Sequence, residues 1–488
     1  MASEKKTPIV MKLEQNRNIV NEKVGTDESF DVGFRTLVIL DHEVNLYYVN
    51  GLCETPIIVD LLRQLFQLNE GTLDRKSVFK HIYNDLAHQQ VEVETSIEKC
   101  VTQLLSGLIV LFVEGHAEAI IVDVRAYPGR TPEEPDTEKV VRGSRDGYTE
   151  NIIENTALTR RRIRDERLRN ELIQVGQRSK TDICISYIKD VADPGLIKLI
   201  KDELKKIDID GLSMADKSVE EFIVSQGFNP FPLVRYTERP DVASAHLLEG
   251  HVLIMVDTSP SMIITPTTYF HHVQHAEEYR QSPAVGTFVR WVRFFGLFSS
   301  VFLLPLWMLF VIQPDLLPES LDFIGPNEES TLPIIVQLLI ADLGIEMLRI
   351  AAIHTPTPLS TAMGLIAAVL IGQIAIDVGL FVPEVILYVA VSAIGSYATP
   401  SYELSIANKM SRITLLVLSA IFGLSGFVIG STLYILLLAR TKSLNTPYLW
   451  PFLPFNGKAF MQILVRMSVP LGKIRPSIVH PQNNHKQR

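Results

Sequence analysis

Asp257, Ser259 and Ser261 form the pattern that comes nearest to a metal site in this sequence. They follow the apolar run Val252–Val256 with the spacing DxSxS, and in metal-dependent adhesion sites with this spacing one carboxylate and two hydroxyls hold Mg²⁺. No third ligand can be identified in the chain, and Pro260 inside the pattern is typical of a turn. The sequence therefore favours a strand that ends in a turn, and it predicts no bound metal and no cofactor.

His271 and His275 are four residues apart, so on a helix both imidazoles would lie on one face, where two such groups can bind zinc. No HExxH pattern and no nearby carboxylate–histidine pair accompanies them, so a partly exposed helix is the favoured interpretation. The P-loop, GxGxxG and GxSxG patterns are also absent from the sequence. Without a catalytic arrangement of residues, the chain is not predicted to be an enzyme.

Residues 160–169 contain six arginines, interrupted by Asp165 and Glu166. Such a run can bind nucleic acid or anionic lipid. Mixed charges on a helix are more often a solvated surface with salt bridges. The second interpretation is favoured, and no nucleic-acid partner is predicted.

The elements around these patterns differ in composition along the chain. Charged residues make up 21% of the whole sequence, but residues 294–439 contain long uncharged stretches. Segments 294–312 and 413–439 have 19 and 27 uncharged residues, and a helix of roughly 20 apolar residues crosses a bilayer core. The second segment exceeds a core of about 30 Å, so it is predicted to tilt or protrude. Residues 294–439 are therefore predicted to form an all-α multi-pass transmembrane bundle. Its candidate spans are 294–312, 332–353, 362–381, 385–402 and 413–439.

The charges that flank these segments predict their orientation. Three arginines precede the first segment, the loop 313–331 has five acids and no base, and residues 440–488 have eight Lys or Arg and no acid. Both ends are therefore predicted to be cytoplasmic, which requires an even number of crossings. One of the five candidates is then re-entrant or incomplete: 332–353 is the least apolar, and a re-entrant pair within 362–402 is the alternative. This solution places Lys409 and Arg412 outside.

Ionisable groups at membrane depth usually face a bundle interior or a water-filled path. Asp342, Glu346 and Arg349 are spaced i, i+4, i+7 on one helix face, and Gln373 and Asp377 are spaced i, i+4 on another. All five are candidates for the lining of an ion path. For the first three, a cluster of ion pairs between helices is the favoured alternative, because acid and base occur together. For Gln373 and Asp377, with no base nearby, the path is favoured.

Small residues recur in the last candidate span. Gly426 and Gly430 form a GxxxG pattern, and Ser419 and Gly423 precede them at the same spacing. Small residues every four positions allow helix backbones to approach closely. Packing within one chain and contact between copies are both open.

The first 293 residues have the alternating strand and helix patterns of an α/β region with two modules. Cys53, Cys100 and Cys184 are far apart and fit no metal or disulfide spacing, so reduced thiols are predicted. The predicted organisation is a flexible N-terminus 1–29, module 1 at 30–127, a linker 128–150, module 2 at 151–265, a juxtamembrane segment 266–293, the bundle 294–439 and a basic cytoplasmic tail 440–488.

Several stretches of the chain carry a resemblance to one family. They are 141–150, 155–158, 160–163, 277–279, 357–358, 371–373, 379–380, 397–404 and 447–449. The first three contain the motif residues Arg142, Gly143, Arg145, Gly147, Glu150, Asn155, Arg160, Arg161 and Arg162. Together these stretches resemble the A-subunit family of bacterial spore germination receptors, the GerA family, over about residues 30–460. Residues 47–52 are most similar to its stage V sporulation AF branch.

The resemblance implies a multi-pass protein of the spore inner membrane. It implies a homo-oligomer that conducts monovalent cations during germination and works with other germination membrane proteins in the lipid bilayer. Two alternatives stay open. The chain could be a non-conducting scaffold or signalling subunit that relays the state of a partner, or a component of a secondary transporter, although no internal hydropathy repeat supports the transporter.

Overall fold

The computed structural model describes residues 7–70, 77–125, 138–224, 226–326, 331–354, 364 and 372–486. The chain divides into two compact units. Unit 1 comprises Met1–Ser225, Val234–Pro266 and Pro470–Arg488, and unit 2 comprises Gln226–Leu233 and Thr267–Val469. Part of the predicted cytoplasmic tail therefore belongs to unit 1, where Arg475 Nε donates to the carbonyl of Leu248 over 2.7 Å.

The first sheet of unit 1 is antiparallel, with the strand order β1-β2-β4-β5-β3. Its strands are β1 Val32–Ile39, β2 His42–Val49, β3 Val91–Glu94, β4 Ile109–Val113 and β5 Ala119–Val122. The accompanying helices are α1 Leu13–Val24, α2 Thr55–Gln67, α3 Val78–Asp85 and α4 Ile97–Leu104. Strands β1 and β2 form a hairpin: Ile39 pairs with His42 across a two-residue turn in which Leu40 and Asp41 both have positive φ, as a type I′ turn requires.

The N-terminal helix α1 corrects the prediction of a flexible segment 1–29. Leu13, Val20 and Val24 are buried in the core on one face of the first sheet, and the hydroxyl of Tyr47 donates to Asn21 Oδ1 over 2.8 Å. Between these few apolar positions the helix is polar, so its sequence looks like a solvated tail. The contacts that order it come from the sheet and are absent from the local pattern.

The second sheet of unit 1 repeats the topology of the first. Its strands are β6 Leu168–Val175, β7 Thr181–Ile188, β8 Arg235–Thr237, β9 Val252–Val256 and β10 Met262–Thr265, and its helices are α5 Ile152–Arg162, α6 Pro194–Lys205, α7 Ala215–Ile223 and α8 Pro240–Glu249. The strand order is β6-β7-β9-β10-β8. In both sheets two strands are followed by two helices, a strand, a helix and two more strands. Unit 1 therefore contains two copies of one antiparallel α/β arrangement.

A buried carboxylate joins the two sheets. Asp31 lies directly before β1, and its Oδ2 accepts hydrogen bonds from Arg160 Nε of α5 and from Asn170 Nδ2 of β6, each over 3.0 Å. The side chains of Arg160 and Asp31 are almost completely buried. Removal of one partner would leave an uncompensated buried charge, so this pair fixes the first sheet against the second.

Unit 2 is helical. Among the described residues, its α-helices of five or more residues are α9 Ala276–Arg280, α10 Pro283–Ile312, α11 Ile334–His354, α12 Pro383–Tyr397, α13 Tyr402–Arg440 and α14 Gly457–Leu464. Within the described residues, α10 and α13 are long and apolar enough to cross a membrane, and α12 is a shorter apolar helix. The candidate segment 362–381 lies outside the described residues except for 364 and 372–381.

Helix α13 folds back on itself at Gly423, which corrects the prediction that 413–439 is a single long span. Gly423 has φ 60° and ψ −137°, a conformation outside the helical region. A Cβ atom built on Gly430 would lie 2.7 Å from the side chain of Leu415. In a straight helix these two residues would be about 22 Å apart. The element is therefore a hairpin of two antiparallel helices, 402–422 and 424–440.

The contacts of α10 give the directions of its neighbours. A Cβ atom built on Gly395 would lie 2.2 Å from the carbonyl oxygen of Gly296, and the rings of Trp307 and Tyr388 are 4.8 Å apart, so α12 is antiparallel to α10. At the far end of α10, Gln313 accepts a hydrogen bond from the backbone N–H of Leu424 over 3.2 Å. The turn of the hairpin thus lies at the C-terminal end of α10.

Candidate functional site

Helix α11 presents two carboxylates to the interior of unit 2. The i, i+4, i+7 spacing places Asp342, Glu346 and Arg349 on one face, as the sequence predicts, and Asp342 is only 3% exposed. The opposite face carries exposed aliphatic side chains, among them Ile340, Leu343 and Met347. An amphipathic helix of this kind buries its charged face against protein and leaves its apolar face outward, as expected for surroundings of lipid.

Two bases of α13 meet these acids. Lys409 Nζ lies 2.8 Å from Glu346 Oε2 and 3.5 Å from Asp342 Oδ1. Arg412 Nη2 forms an ion pair with Asp342. Lys409 and Arg412 are 8% and 1% exposed, so both bases lie in the interior of unit 2. They are buried because the acids of α11 neutralise them.

Backbone and hydroxyl groups complete the coordination of Arg412. Its Nη1 donates to the carbonyl of Ser300 over 2.9 Å and to Ser392 Oγ over 2.6 Å. Ser300 lies six residues, about 9 Å, beyond Phe294, where the uncharged stretch of α10 begins. The guanidinium thus joins four helices within that stretch.

The fifth member, Arg349, forms an ion pair with Glu346 over 2.6 Å and donates to Ser405 Oγ over 3.2 Å. Two acids and three bases therefore make one ionic network with an excess of one positive charge. Every acid in it has a base within ion-pair distance. This geometry is that of the ion-pair cluster between helices that the sequence analysis gave as the alternative to a path lining.

Gln373 and Asp377 lie apart from this network. Both side chains are exposed, and they belong to a single turn of helix near Ala375–Asp377. Exposed apolar neighbours flank them, including Ile374 and Val378. The structure therefore places a carboxylate and an amide on an otherwise apolar outer surface of the chain.

The small residues of α13 pack within the chain. Ser419, Gly423, Gly426 and Gly430 are all buried. A Cβ atom on Gly426 would lie 2.0 Å from the carbonyl oxygen of Leu418, so only glycine allows the two halves of the hairpin to approach this closely. Intrachain packing accounts for the GxxxG pattern.

The DxSxS residues serve as local caps. Asp257 Oδ1 accepts a hydrogen bond from the backbone N–H of Ile152 over 3.2 Å at the first turn of α5. Ser259 Oγ accepts from the N–H of Ser261 inside the turn after β9. Within the described ranges, no group of three or more His, Cys, Asp or Glu side chains is arranged to hold a metal ion.

The two histidines cap separate short helices. His271 Nδ1 accepts from the N–H of Thr268 over 3.1 Å, and His275 Nδ1 accepts from the N–H of Glu277 over 3.2 Å. The helix predicted through both residues is instead interrupted between a 3₁₀ turn Tyr269–His272 and α9. Their ring nitrogens are used by the backbone in these caps.

A comparison with protein families identifies the chain. The family described as Bacillus/Clostridium GerA spore germination protein matches residues 18–478. The chain belongs to the GerA family. It is 61% identical to stage V sporulation protein AF of Bacillus subtilis (strain 168), over 99% of this chain and 98% of that protein. It is 28% identical to spore germination protein KA of the same organism, over 99% and 90% of the two chains.

Among solved structures, the chain is similar to the N-terminal domain of the A subunit of the Bacillus megaterium spore germinant receptor GerK3. The sequences are 27% identical, the TM-score is 0.42, and the match covers 55% of this chain and 99% of that one. The GerA family consists of germination proteins and is not known as a family of enzymes.

Two of the GerA-family motif residues, Arg160 and Arg162, form contacts that hold parts of unit 1 together. Arg160 binds Asp31, and Arg162 Nη2 donates to Ser144 Oγ and Asp146 Oδ2 over 2.7 and 2.9 Å. Burial opposes the charge of Asp146, but the hydrogen bonds from Arg162 and Ser144 and the positive charges of the neighbouring arginines together outweigh burial and lower the pKa of this carboxyl. Arg239, which the sequence did not single out, is fully buried and donates to the carbonyl of Ser144 over 2.8 Å. Residues 138–150, the described part of the predicted linker 128–150, are thereby tied to the module of the second sheet.

Proposed function

We propose that this GerA-family chain is a multi-pass subunit of a germination complex in the spore inner membrane, with both termini cytoplasmic. Among the described residues, helices α10 and α13 are long and apolar enough to cross a bilayer, and α10, α11, α12 and α13 all expose large apolar side chains. Five candidate segments give an odd number of crossings, which would place the two termini on opposite sides. Because the hairpin contributes two crossings instead of one, the total becomes even. Together with the sequence-predicted span 362–381, six crossings return the C-terminus to the side of the N-terminus without a re-entrant segment.

The hairpin also agrees with the charge rule. In this topology the turn between α12 and α13 is cytoplasmic, and the turn at Gly423 and the acidic loop after α10 are external. Lys409 and Arg412 then lie in the cytoplasmic half of their helix. The positive-inside preference, which the five-span solution violated, is satisfied.

The proposed activity is the conduction of monovalent cations by a homo-oligomer. The observation that carries this proposal is the exposed carboxylate of Asp377 among exposed apolar side chains. A carboxylate at membrane depth does not rest against lipid tails; it faces protein or water. In an oligomer arranged around a water-filled path, Asp377 would contact both a neighbouring copy of the chain and water.

The test is cation flux in spores or reconstituted liposomes. Asp377→Asn and Asp377→Lys should reduce flux, the lysine more strongly, because a positive charge repels cations from the path. Asp315→Asn, which removes an acid from the external loop, is the matched control. Assembly is checked by cross-linking. Unchanged flux in correctly assembled Asp377→Lys protein would remove this residue from the conduction path.

A non-conducting scaffold is the second candidate, and the closed ionic network favours it. Asp342, Glu346 and Arg349 are engaged with one another and with α13, which is the arrangement of packing contacts. In this case the purified oligomer would fail to conduct in a bilayer while still binding a conducting partner. Conduction by the purified chain alone would exclude the scaffold.

A further inference from the structure

The segment that follows the hairpin exposes large apolar side chains in a basic context. Phe452, Leu453, Phe455, Met461 and Met467 are 45–71% exposed, and all lie within residues 451–467 of unit 2. Within residues 451–467 the charged residues are Lys458 and Arg466, both basic, and Lys458 is exposed. A water-facing tail would not present this many adjacent apolar groups.

Helix α14 within this segment has one buried and one open face. Ala459 and Ile463, four residues apart, are buried against the protein. Lys458 and Met461 point outward. Phe460 packs edge-on against Phe452 at 4.8 Å. The helix and the turn before it thus form one aromatic surface with a defined outer side.

The same helix is fixed to the start of α10. Arg290 Nη1 donates to the carbonyls of Gln462 and Ile463, each over 2.9 Å, and Trp291 Nε1 donates to that of Leu464 over 2.9 Å. These are C-terminal carbonyls of α14, which lack partners within the helix. A buried Glu278, paired with Arg290 over 2.8 Å, holds the arginine in place.

This attachment sets the depth of the segment. Arg290 and Trp291 lie four and three residues before Phe294, so the docking point is about 5 Å from the start of the apolar stretch of α10. Trp291 is 56% exposed, and tryptophan is typical of the headgroup level. The exposed side chains of Phe295 and Phe298 continue the same apolar exterior along α10.

We infer that residues 451–467 lie on the cytoplasmic surface of the bilayer and insert Phe455 and Met461 among anionic lipid headgroups. This inference rests on the proposed membrane topology. The apolar side chains enter the boundary between headgroups and acyl chains, and Lys458 remains at the phosphates, as in interfacial amphipathic helices. Lipid is favoured over a protein partner because the surface is continuous with the apolar exterior of α10, and because its charge is complementary to anionic lipid.

The test uses full-length protein in nanodiscs with one environment-sensitive fluorophore on an introduced cysteine. Cys53, Cys100 and Cys184 are buried, and unmodified protein gives the labelling blank. Phe455→Cys and Met461→Cys probe the segment, Phe298→Cys is the membrane reference, and Phe66→Cys, on an exposed residue of α2, is the aqueous control. Quenching by lipids with a nitroxide near the headgroup is measured for each.

Quenching at positions 455 and 461 should be several-fold stronger than at position 66, and it should rise when phosphatidylglycerol replaces part of the phosphatidylcholine. Equal quenching in both lipids would overturn the preference for anionic lipid. Strong quenching at 298 with values at 455 and 461 equal to that at 66 would overturn the surface location and leave the topology intact. Absence of quenching at 298 as well would overturn the membrane topology itself.

Discussion

Arg412 shows how one side chain can hold several elements together. Its guanidinium binds the carboxylate of Asp342, the hydroxyl of Ser392 and a backbone carbonyl of α10, and almost none of it is exposed. A fixed planar group with five donors suits this position better than a flexible ammonium. The residue is therefore expected to contribute to stability through its contacts and through the charge that it neutralises.

Replacement of Arg412 by methionine is predicted to destabilise unit 2 by about 3–5 kcal/mol, because Asp342 would lose its closest partner while remaining buried. Arg440→Met, at the exposed end of the same helix, should change stability by less than about 0.5 kcal/mol. Unfolding in detergent provides the measurement. The double variant Asp342→Leu, Arg412→Met should recover much of the lost stability. Equal stability of Arg412→Met and Arg440→Met would contradict the role of the ion pair.

The thiols of unit 1 are predicted to be unreactive in the folded protein. Burial raises the pKa of Cys53 to about 11 and that of Cys100 to about 12, so only about a thousandth of Cys53 is thiolate at pH 8. Because the thiolate is the nucleophile, alkylation should rise about tenfold per pH unit between pH 7 and 9. Mass spectrometry after iodoacetamide treatment measures this, with Met214→Cys as an exposed control. Equal rates for Cys53 and the control would contradict the prediction.

Among the elements, the hairpin of α13 is the one that changes the interpretation of the chain. Gly423 adopts a conformation that is essentially restricted to glycine, and Gln313 binds the N–H that follows it. Gly426 and Gly430 then allow the returning helix to pack against the first. The chain can reverse direction here without a polar loop because Gly423 adopts the required backbone conformation and Gln313 accepts the hydrogen bond of the N–H that the turn exposes.

A disulfide between Leu415→Cys and Gly430→Cys is predicted to form readily under mild oxidation, since the two positions are in contact across the hairpin. Leu415→Cys with Leu437→Cys, about 10 Å further along the helix, is the matched control and should not cross-link. Gel mobility after protease cleavage between the positions gives the result. A straight helix would give no cross-link in either pair.

The hairpin marks the limit of what the sequence could predict. Hydropathy is continuous from 413 to 439, and glycine is common in membrane helices, so nothing local distinguishes the turn at Gly423 from a packing position. The same limit applies to Lys409 and Asp342, which are 67 residues apart in the chain. One signal in the sequence could have predicted this contact. Asp342 and Glu346 lie on one face of a helix, Lys409 and Arg412 lie on one face of another, and two such faces can form ion pairs. Strands such as β2 and β9 were predictable because their alternation or apolar run is local.

For the whole molecule, the topology is the property that ties the elements together. The prediction concerns single cysteines labelled from outside intact cells with an impermeant maleimide. Phe323→Cys and Ser425→Cys should react, and Ala398→Cys, in the turn between α12 and α13, should react only after the membrane is opened, because six crossings place that turn inside. External labelling of Ala398→Cys would restore the five-segment solution with a re-entrant element.

The two sheets of unit 1 make a further point about the whole chain. They share strand order and connections, yet the sequence revealed only two modules of one class. The two sheets share the order of their elements, whereas their residues differ: β5 has the sequence AIIV and the corresponding β10 has MIIT, and both are buried along their whole length. Similar folds with different residues are expected where each module needs only a matching apolar pattern.

The ion pairs between α11 and α13 also constrain how the chain is made. Ribosomes deliver helices in order, so α11 emerges with two carboxylates and one base well before Lys409, which follows Asp342 by 67 residues. An isolated charge at the centre of a membrane helix costs about 2.5–3.5 kcal/mol during insertion. We expect α11 to remain at the translocon until α13 arrives and both enter the lipid as one step. In nascent chains that stop before residue 409, a photo-cross-linker on α11 should then react with the translocon, and in chains that extend past residue 440 it should react with lipid.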